Sequence, residues 1–433
     1  MKIKTLLPAL LALVALSMSA QKLFTLEDLN FGGRNYHNLR PQNIFLTWWG
    51  DQLMYQDVEE GGTIDANGQK HVLFTLLETD IDFHSALGAT YPYPDQPLVL
   101  LRSKNRRALY NFKEERFEWA QTANPDETEQ HWSKESRTLA FKRNQQLYVR
   151  TANGEEHQLT TDGSREIVYG ESVHRDEFGI SEGLFWSPDG QRLAFYKKDQ
   201  SRIPSYPQVD ITQRIAKTYV DKYPMAGEES EDVSVAVYDV PSGKTVWLQN
   251  DKPLTDYMTN LSWAPDAAKL YVFELNRDQN HMQLFGYDAA TGAKDATPLL
   301  EEKHPKYVEP LHTLVFLPWD ATKAIMQSRR DNWNHLYLID LKKSIYPEWR
   351  EAGGGGTTCD HVDTRLLTPG DFEVRDFLGF NATTKKALFI GNVTHPLHQT
   401  VWSVPVSGKG KTTPFGNIKN SINRRVSFYR VNK

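Results

Sequence analysis

The stretch LFWSPDGQRLAFYK, residues 184–197, decides the fold. An aromatic, apolar run meets a Pro-Asp-Gly turn and then a second run that alternates apolar and polar residues. This is the pattern of two short antiparallel strands joined by a tight loop. The same order of residue types returns in HWSKESRTLAFKRNQQLYVR (131–150), LSWAPDAAKLYVFE (261–274), VFLPWDATKAIMQS (315–328) and FLGFNATTKKALFI (377–390). Third and fourth strand-like runs follow several of them, as in VAVYDVPSGKTVWL (235–248) and HLYLIDL (335–341).

Trp132, Trp186, Trp263, Trp319 and Phe380 mark the repeat. Their period is loose and somewhat longer than the ~40 to 50 residues of one four-stranded blade, with loops absorbing the excess. FLTWWGDQLMYQDVEE (45–60) and PLVLLRSKNRRALYNFKEERFEW (97–119) read as weaker copies. The expectation is therefore an all-β protein, a β-propeller of about seven blades over residues 45–414, with a tandem of β-sandwiches as the alternative. Two places break the rhythm. KKSIYPEWREAGGGGTTCDHVDTR (342–365), with four glycines in a row, reads as an exposed flexible loop, and residues 415–433 form a basic tail without a further blade.

The 433-residue chain has Lys+Arg 50 against Asp+Glu 55 and a net charge of -5, so no nucleic-acid footprint is implied. Its first 20 residues carry Lys2 and Lys4, an apolar run from Leu6 to Leu16, and small residues up to Ala20. That is the pattern of a secretory signal peptide at 1–20, followed by an N-terminal segment at 21–44. The apolar run is shorter than the roughly 20 residues that cross a bilayer, so a transmembrane anchor is the weaker alternative. A secreted or periplasmic protein, with no membrane span after signal removal, is expected. The lone Cys359 excludes an internal disulfide.

Several motifs suggest chemistry and fail on context. Gly179-Ile180-Ser181-Glu182-Gly183 fits G-x-S-x-G, yet a hairpin follows where a nucleophile elbow needs a helix. Gly410-Lys411-Thr412 resembles the end of a phosphate-binding loop, but Pro405 stands where its first glycine belongs. His395, His398, and His361 near Cys359 are too sparse to predict a metal site, and no cofactor is expected. No alternation of strand and helix is present to carry a Ser, His, Asp constellation.

What remains is HRDE, residues 174–177. Asp176 and Glu177 are neighbouring carboxylates whose like charges repel unless a cation is supplied. Arg175 or His174 could supply it as a surface ion pair worth ~0 to 1 kcal/mol, the simpler reading of the residues alone. The other reading is a pair of acceptors for an ammonium group, such as a free peptide N-terminus.

LTTDG (159–163), YGESVHRDEFGISEGLFWSPDGQRLAFYKKDQ (169–200), YPMAG (223–227), NLSWAPDAAKLYV (260–272), KYVEPLH (306–312) and QSRRDNWNHLYL (327–338) together resemble the N-terminal propeller of the dipeptidyl peptidase IV family, which includes prolyl tripeptidyl peptidases. The resemblance covers roughly residues 159–413. It implies a secreted serine exopeptidase with an eight-bladed propeller and a C-terminal α/β-hydrolase domain, acting on peptides with a free N-terminus and forming a homodimer. It also implies that Glu177, and with it Asp176, binds the substrate α-amino group. Asp176 is one methylene shorter than the second glutamate of the family, which makes tripeptide release plausible. Arg102, Arg106 and Arg107 are candidates for the arginine that contacts the substrate carbonyl. The family's G-W-S-Y-G nucleophile motif is not found in these 433 residues. The expected function is therefore the propeller portion of such an enzyme, inactive alone, with a stand-alone periplasmic propeller that binds a peptide or protein partner as the alternative.

Overall fold

A computed structural model describes residues 24–30, 35, 45–65, 67–76, 83–253 and 256–415. The expected signal peptide and residues 416–433 of the basic tail lie outside them. Among the described residues the chain is nearly all β and of the β-propeller class, with seven blade-like antiparallel sheets of three to six strands and one two-stranded hairpin, and its one complete α-helical turn is Leu26–Leu29.

The chain divides into two compact units. The first contains the sheet Phe45–Trp49, Gln52–Gln56, Glu60–Ile64 and Lys70–Thr75, together with most of the three-stranded sheet Leu98–Arg102, Arg106–Asn111 and Arg116–Thr122. Its core is Met54, Phe74, Val99, Leu101 and Tyr110, and the alternate residues Leu98, Leu100 and Leu109 are buried as well, so these strands are covered on both faces. Arg102 ends one strand of the second of these sheets, and Arg106 and Arg107 begin the next.

The second unit carries five sheets of four to six strands and one two-stranded sheet. The stretch quoted at the outset pairs as expected, Leu184 with Phe195 and Trp186 with Leu193, around a turn closed by Gly190 at φ 68°. Two further strands, Ile167–Tyr169 and Asp232–Asp239, flank Arg192–Asp199, and Lys244–Trp247 completes the sheet. Two of the repeated tryptophans, Trp186 and Trp263, share a physical task. Trp186 donates its indole N–H to the carbonyl of His131 at 3.1 Å in the preceding sheet, and Trp263 does the same to Phe185 at 3.0 Å. Each ring packs apolar surface between sheets while its polar edge finds a partner.

The glycine-rich stretch differs from the expected flexible loop. Trp349–Glu351 and Thr357–Asp360 pair with each other and add to the outer strand, Leu300–Lys303, of the sheet formed by residues 257–303. The glycines make the tight turn between the two strands. Gly354 and Gly355 take φ of 65° and 85°, and a Cβ on Gly353 would stand 2.5 Å from the Asn332 side chain. Backbone hydrogen bonding to a neighbouring sheet supplies the order that a glycine run lacks by itself. A second addition is the hairpin Ser205–Asp210 and Lys217–Lys222, a two-stranded sheet of its own.

Candidate functional site

Residues His174–Gly179 connect the strand Ile167–Tyr169 to Leu184–Trp186 and depart from ordinary backbone geometry. His174, Arg175, Asp176 and Phe178 have φ between 55° and 61°. A left-handed conformation costs a side-chain-bearing residue roughly 1–2 kcal/mol, so four such residues persist only when their surroundings over-determine them.

The surroundings do so from beneath. His174 and Phe178 are buried, and both rings pack on Tyr257, with centroids 4.8 and 5.1 Å away. The backbone N–H of His174 donates to the buried carboxylate of Glu231. Asn260 donates its side-chain amide to the carbonyls of Phe178, at 3.1 Å, and Pro310, at 2.6 Å. Gly179 runs so close to Leu311 that a Cβ would lie 2.3 Å from its carbonyl oxygen. Buried anchors, His174 and Phe178, thus flank the exposed run Arg175, Asp176 and Glu177.

The ion pair weighed from the sequence does not form. Arg175 donates to the carbonyl of Lys222 at 3.2 Å and its guanidinium covers the Tyr223 ring at 4.5 Å, so it clamps the base of the hairpin 205–222. The His174 ring is buried. Asp176 accepts from the Ser172 hydroxyl, and the Glu177 carboxylate has no hydrogen-bonding or ionic partner among the described residues. The result is two solvent-facing carboxylates on a rigid loop, with acceptor capacity left for a cation. Gly179, two residues on, lines an open cavity of about 610 Å³ with Asn260, Leu311, His312, Gln327 and Phe377. Gln327 also lines a second cavity of about 300 Å³, walled by Arg329, Tyr307 and Gly353.

Ser181 precedes the strand Leu184–Trp186, so no helix follows it as a nucleophile elbow requires. His395 and His398 face each other at 4.6 Å on an exposed turn. Cys359 and His361 stand differently from the sparse pair read in the sequence, because the sheet brings Glu301 to both.

Asn260, Glu231 and Tyr257 are the supports that sequence reading missed. One trace was present for Asn260: an asparagine within an otherwise strand-like run, where the register shifts between Thr259 and Ser262 and φ is 52°. Replacing Asn260 with leucine keeps the volume and removes both donors, leaving two carbonyls without their amide partner. A loss of about 1–3 kcal/mol is expected. It would be read as a lower urea midpoint at unchanged slope.

Residues 101–428 match the family model described as the dipeptidyl peptidase IV N-terminal region. Among curated proteins, 361 residues are 26% identical to a dipeptidyl-aminopeptidase B of Phaeosphaeria nodorum, covering 75% of this chain and 38% of the relative. A similar protein of Fusarium vanettenii is 26% identical over 352 residues, covering 73% of the chain and 37% of the relative. The chain therefore spans less than two fifths of the length of these relatives. A crystal structure assigned as dipeptidyl aminopeptidase IV from Bacteroides ovatus superposes with a TM-score of 0.80 at 36% identity, covering 89% of this chain and 55% of that one. Dipeptidyl peptidase 4 of Porphyromonas gingivalis, at 20% identity and a TM-score of 0.66, agrees in fold.

Proposed function

Because the chain belongs to the dipeptidyl peptidase IV N-terminal region family, we propose that it is the propeller portion of a secreted serine exopeptidase that removes N-terminal di- or tripeptides after proline. In this reading Glu177 and Asp176 hold the substrate's α-ammonium group. The observation that carries it is the strained loop 174–179, which exposes both carboxylates while Arg175 is engaged elsewhere. Strain maintained by four buried contacts is costly for a mere surface turn and useful for a preorganised anchor.

The chemistry follows from the groups. An α-amino group of pKa ~7.7 to 8.0 is a cation near neutral pH and donates in three directions. Two carboxylates from adjacent residues receive it with charge-assisted bonds, and the distance from this anchor to the reacting carbonyl sets how many residues are released. Attack on that carbonyl belongs to a serine outside the described residues. The exposed side chains of Val209, Ile211 and Ile215 on and beside the hairpin 205–222 support the two-copy assembly that the family resemblance implies.

Calorimetric titration with Ala-Ala-Pro and Gly-Pro peptides tests the anchor. Peptides with free N-termini should bind and their N-acetylated forms should not. Glu177→Gln should weaken binding by about 1.5–3 kcal/mol, roughly 10- to 150-fold, the value of a hydrogen bond to a charged group. The 433-residue polypeptide alone should release no chromophore from the corresponding anilides. Equal binding of free and acetylated peptides would sink the reading.

A further inference from the structure

The outer part of the sheet formed by residues 257–303 collects metal-ligating side chains on one face. Alternation along the strand Thr357–Asp360 turns Cys359 to one side and Asp360 to the other, and it leaves His361 on the side of Cys359. Cys359 lies directly opposite Glu301, and Glu301 directly opposite Gln283. His281 comes from the same strand as Gln283, two residues away. Five residues from three segments of the chain thus converge, and the ligand atoms of Glu301, Cys359 and His361 all lie within 4.8 Å of one another.

We infer that Glu301 Oε1, Cys359 Sγ and His361 Nε2 form a binding site for one zinc ion. The carboxylate is already oriented for it. Its Oε2 accepts from Gln283 at 2.8 Å and is bonded to His281 Nε2 at 2.9 Å, which leaves Oε1 directed at His361 Nε2, 3.4 Å away. The thiol stands 3.7 Å from that same nitrogen. Ligands at 2.0–2.3 Å in tetrahedral geometry are separated by about 3.4 Å for a nitrogen–oxygen edge and about 3.6 Å for a sulfur–nitrogen edge. Both observed edges match these values, and the third, from Sγ to the carboxylate, is within 4.8 Å. A hydrogen-bonded patch accounts for both edges through a shared, three-centre Nε2–H, whereas a bound ion meets all three ligand atoms at once.

Charge and softness agree with the geometry. A thiolate and a carboxylate neutralise a divalent ion, and a mixed sulfur, nitrogen and oxygen set favours zinc over calcium or magnesium. On binding, the Cys359 proton passes to solvent, three metal–ligand bonds form, and water fills the fourth position. His281 and Gln283 act as positioning residues through Glu301. Two of the three ligands belong to or adjoin the strand Thr357–Asp360, whose preceding glycine turn walls the 300 Å³ cavity, so the ion would pin that inserted segment to its sheet.

The test uses the purified full chain, stripped with a chelator and titrated with zinc against a chromophoric competitor, and separately with cobalt. One equivalent of zinc and a thiolate-to-cobalt charge-transfer band are expected. Cys359→Ser should abolish the band. Cys359→Ser and His361→Gln should each weaken zinc binding at least about 10-fold, the lower end for disturbing a metal site. His395→Ala with His398→Ala, on the exposed turn, should change neither. Circular dichroism of the metal-free variants confirms that each is folded. The site is refuted by absence of the cobalt band in the wild-type chain, by zinc uptake unchanged in both ligand variants, or by loss of uptake in the His395, His398 variant.

Discussion

Arg330→Ala is expected to destabilise the protein by about 3–5 kcal/mol, the range for removing one partner of a buried charge network. Arg330 reaches Glu302 at 2.8 Å and Asp360 at 2.9 Å, and its side chain is 6% exposed. Glu302 accepts in addition from the Ser328 hydroxyl at 2.8 Å. Burial by itself would lower the guanidinium pKa, but the two carboxylates outweigh it and hold the group above its ordinary value. The alanine variant leaves the buried Glu302 and the half-buried Asp360 without their cation. These groups come from different parts of the chain: Glu302 from the outer strand of one sheet, Arg330 from the turn after Asp320–Ser328, and Asp360 from the inserted pair of strands. Chemical denaturation should therefore show a large fall in midpoint. The double variant Arg330→Met with Glu302→Leu should recover part of the loss, since an apolar pair carries no desolvated charge. A single variant within 1 kcal/mol of wild type would show that the network contributes nothing net.

The second large effect is a pH dependence set by His174. Burial, with Lys198 and Arg277 nearby, pushes its imidazole pKa down to about 3. Glu231 stands 3.7 Å from Nδ1 and favours the imidazolium, but its carboxylate already accepts the His174 backbone N–H, and full burial outweighs it. Neither ring nitrogen has a hydrogen-bond partner among the described residues. The folded pKa lies below the unfolded value of ~6.5, so the unfolded chain binds the extra proton between about pH 6.5 and about pH 3. Stability attributable to His174 is complete above the unfolded pKa and is lost as pH falls through this window. At 1.36 kcal/mol per unit, the loss from about pH 7 to about pH 4 is about 3 kcal/mol. Comparing wild type with His174→Phe isolates this share from that of the carboxylates. The variant's stability should fall less steeply on acidification, and parallel curves would rule out the imidazole as the cause. Because His174 carries the strained loop, the same protonation should release Asp176 and Glu177 from their fixed positions.

Most of the propeller was legible because its information is local and repeated. A two-residue period, a Pro-Asp-Gly turn and a recurrent tryptophan are each decided within about a dozen residues, and a blade repeats them. The candidate anchor was legible only as a pair of acids beside possible partners. Whether Arg175 neutralises them depends on where Lys222 and Tyr223 lie, and those positions are set by a hairpin almost 50 residues away. The glycine run misled for a related reason. Its composition describes an unpaired chain, whereas its order comes from hydrogen bonds to Leu300–Lys303, which no local pattern announces.

By itself the sequence determined the all-β class, the blade rhythm and the family, since strand period, turn chemistry and motif order are properties of neighbouring residues. The tertiary structure alone decided which charged side chains meet. It left Glu177 unpaired, enclosed Arg330 between two carboxylates and brought His281, Glu301, Cys359 and His361 to one face. The physical reason is that strand register between distant segments sets those distances, and a shift of one residue would turn every side chain to the opposite face.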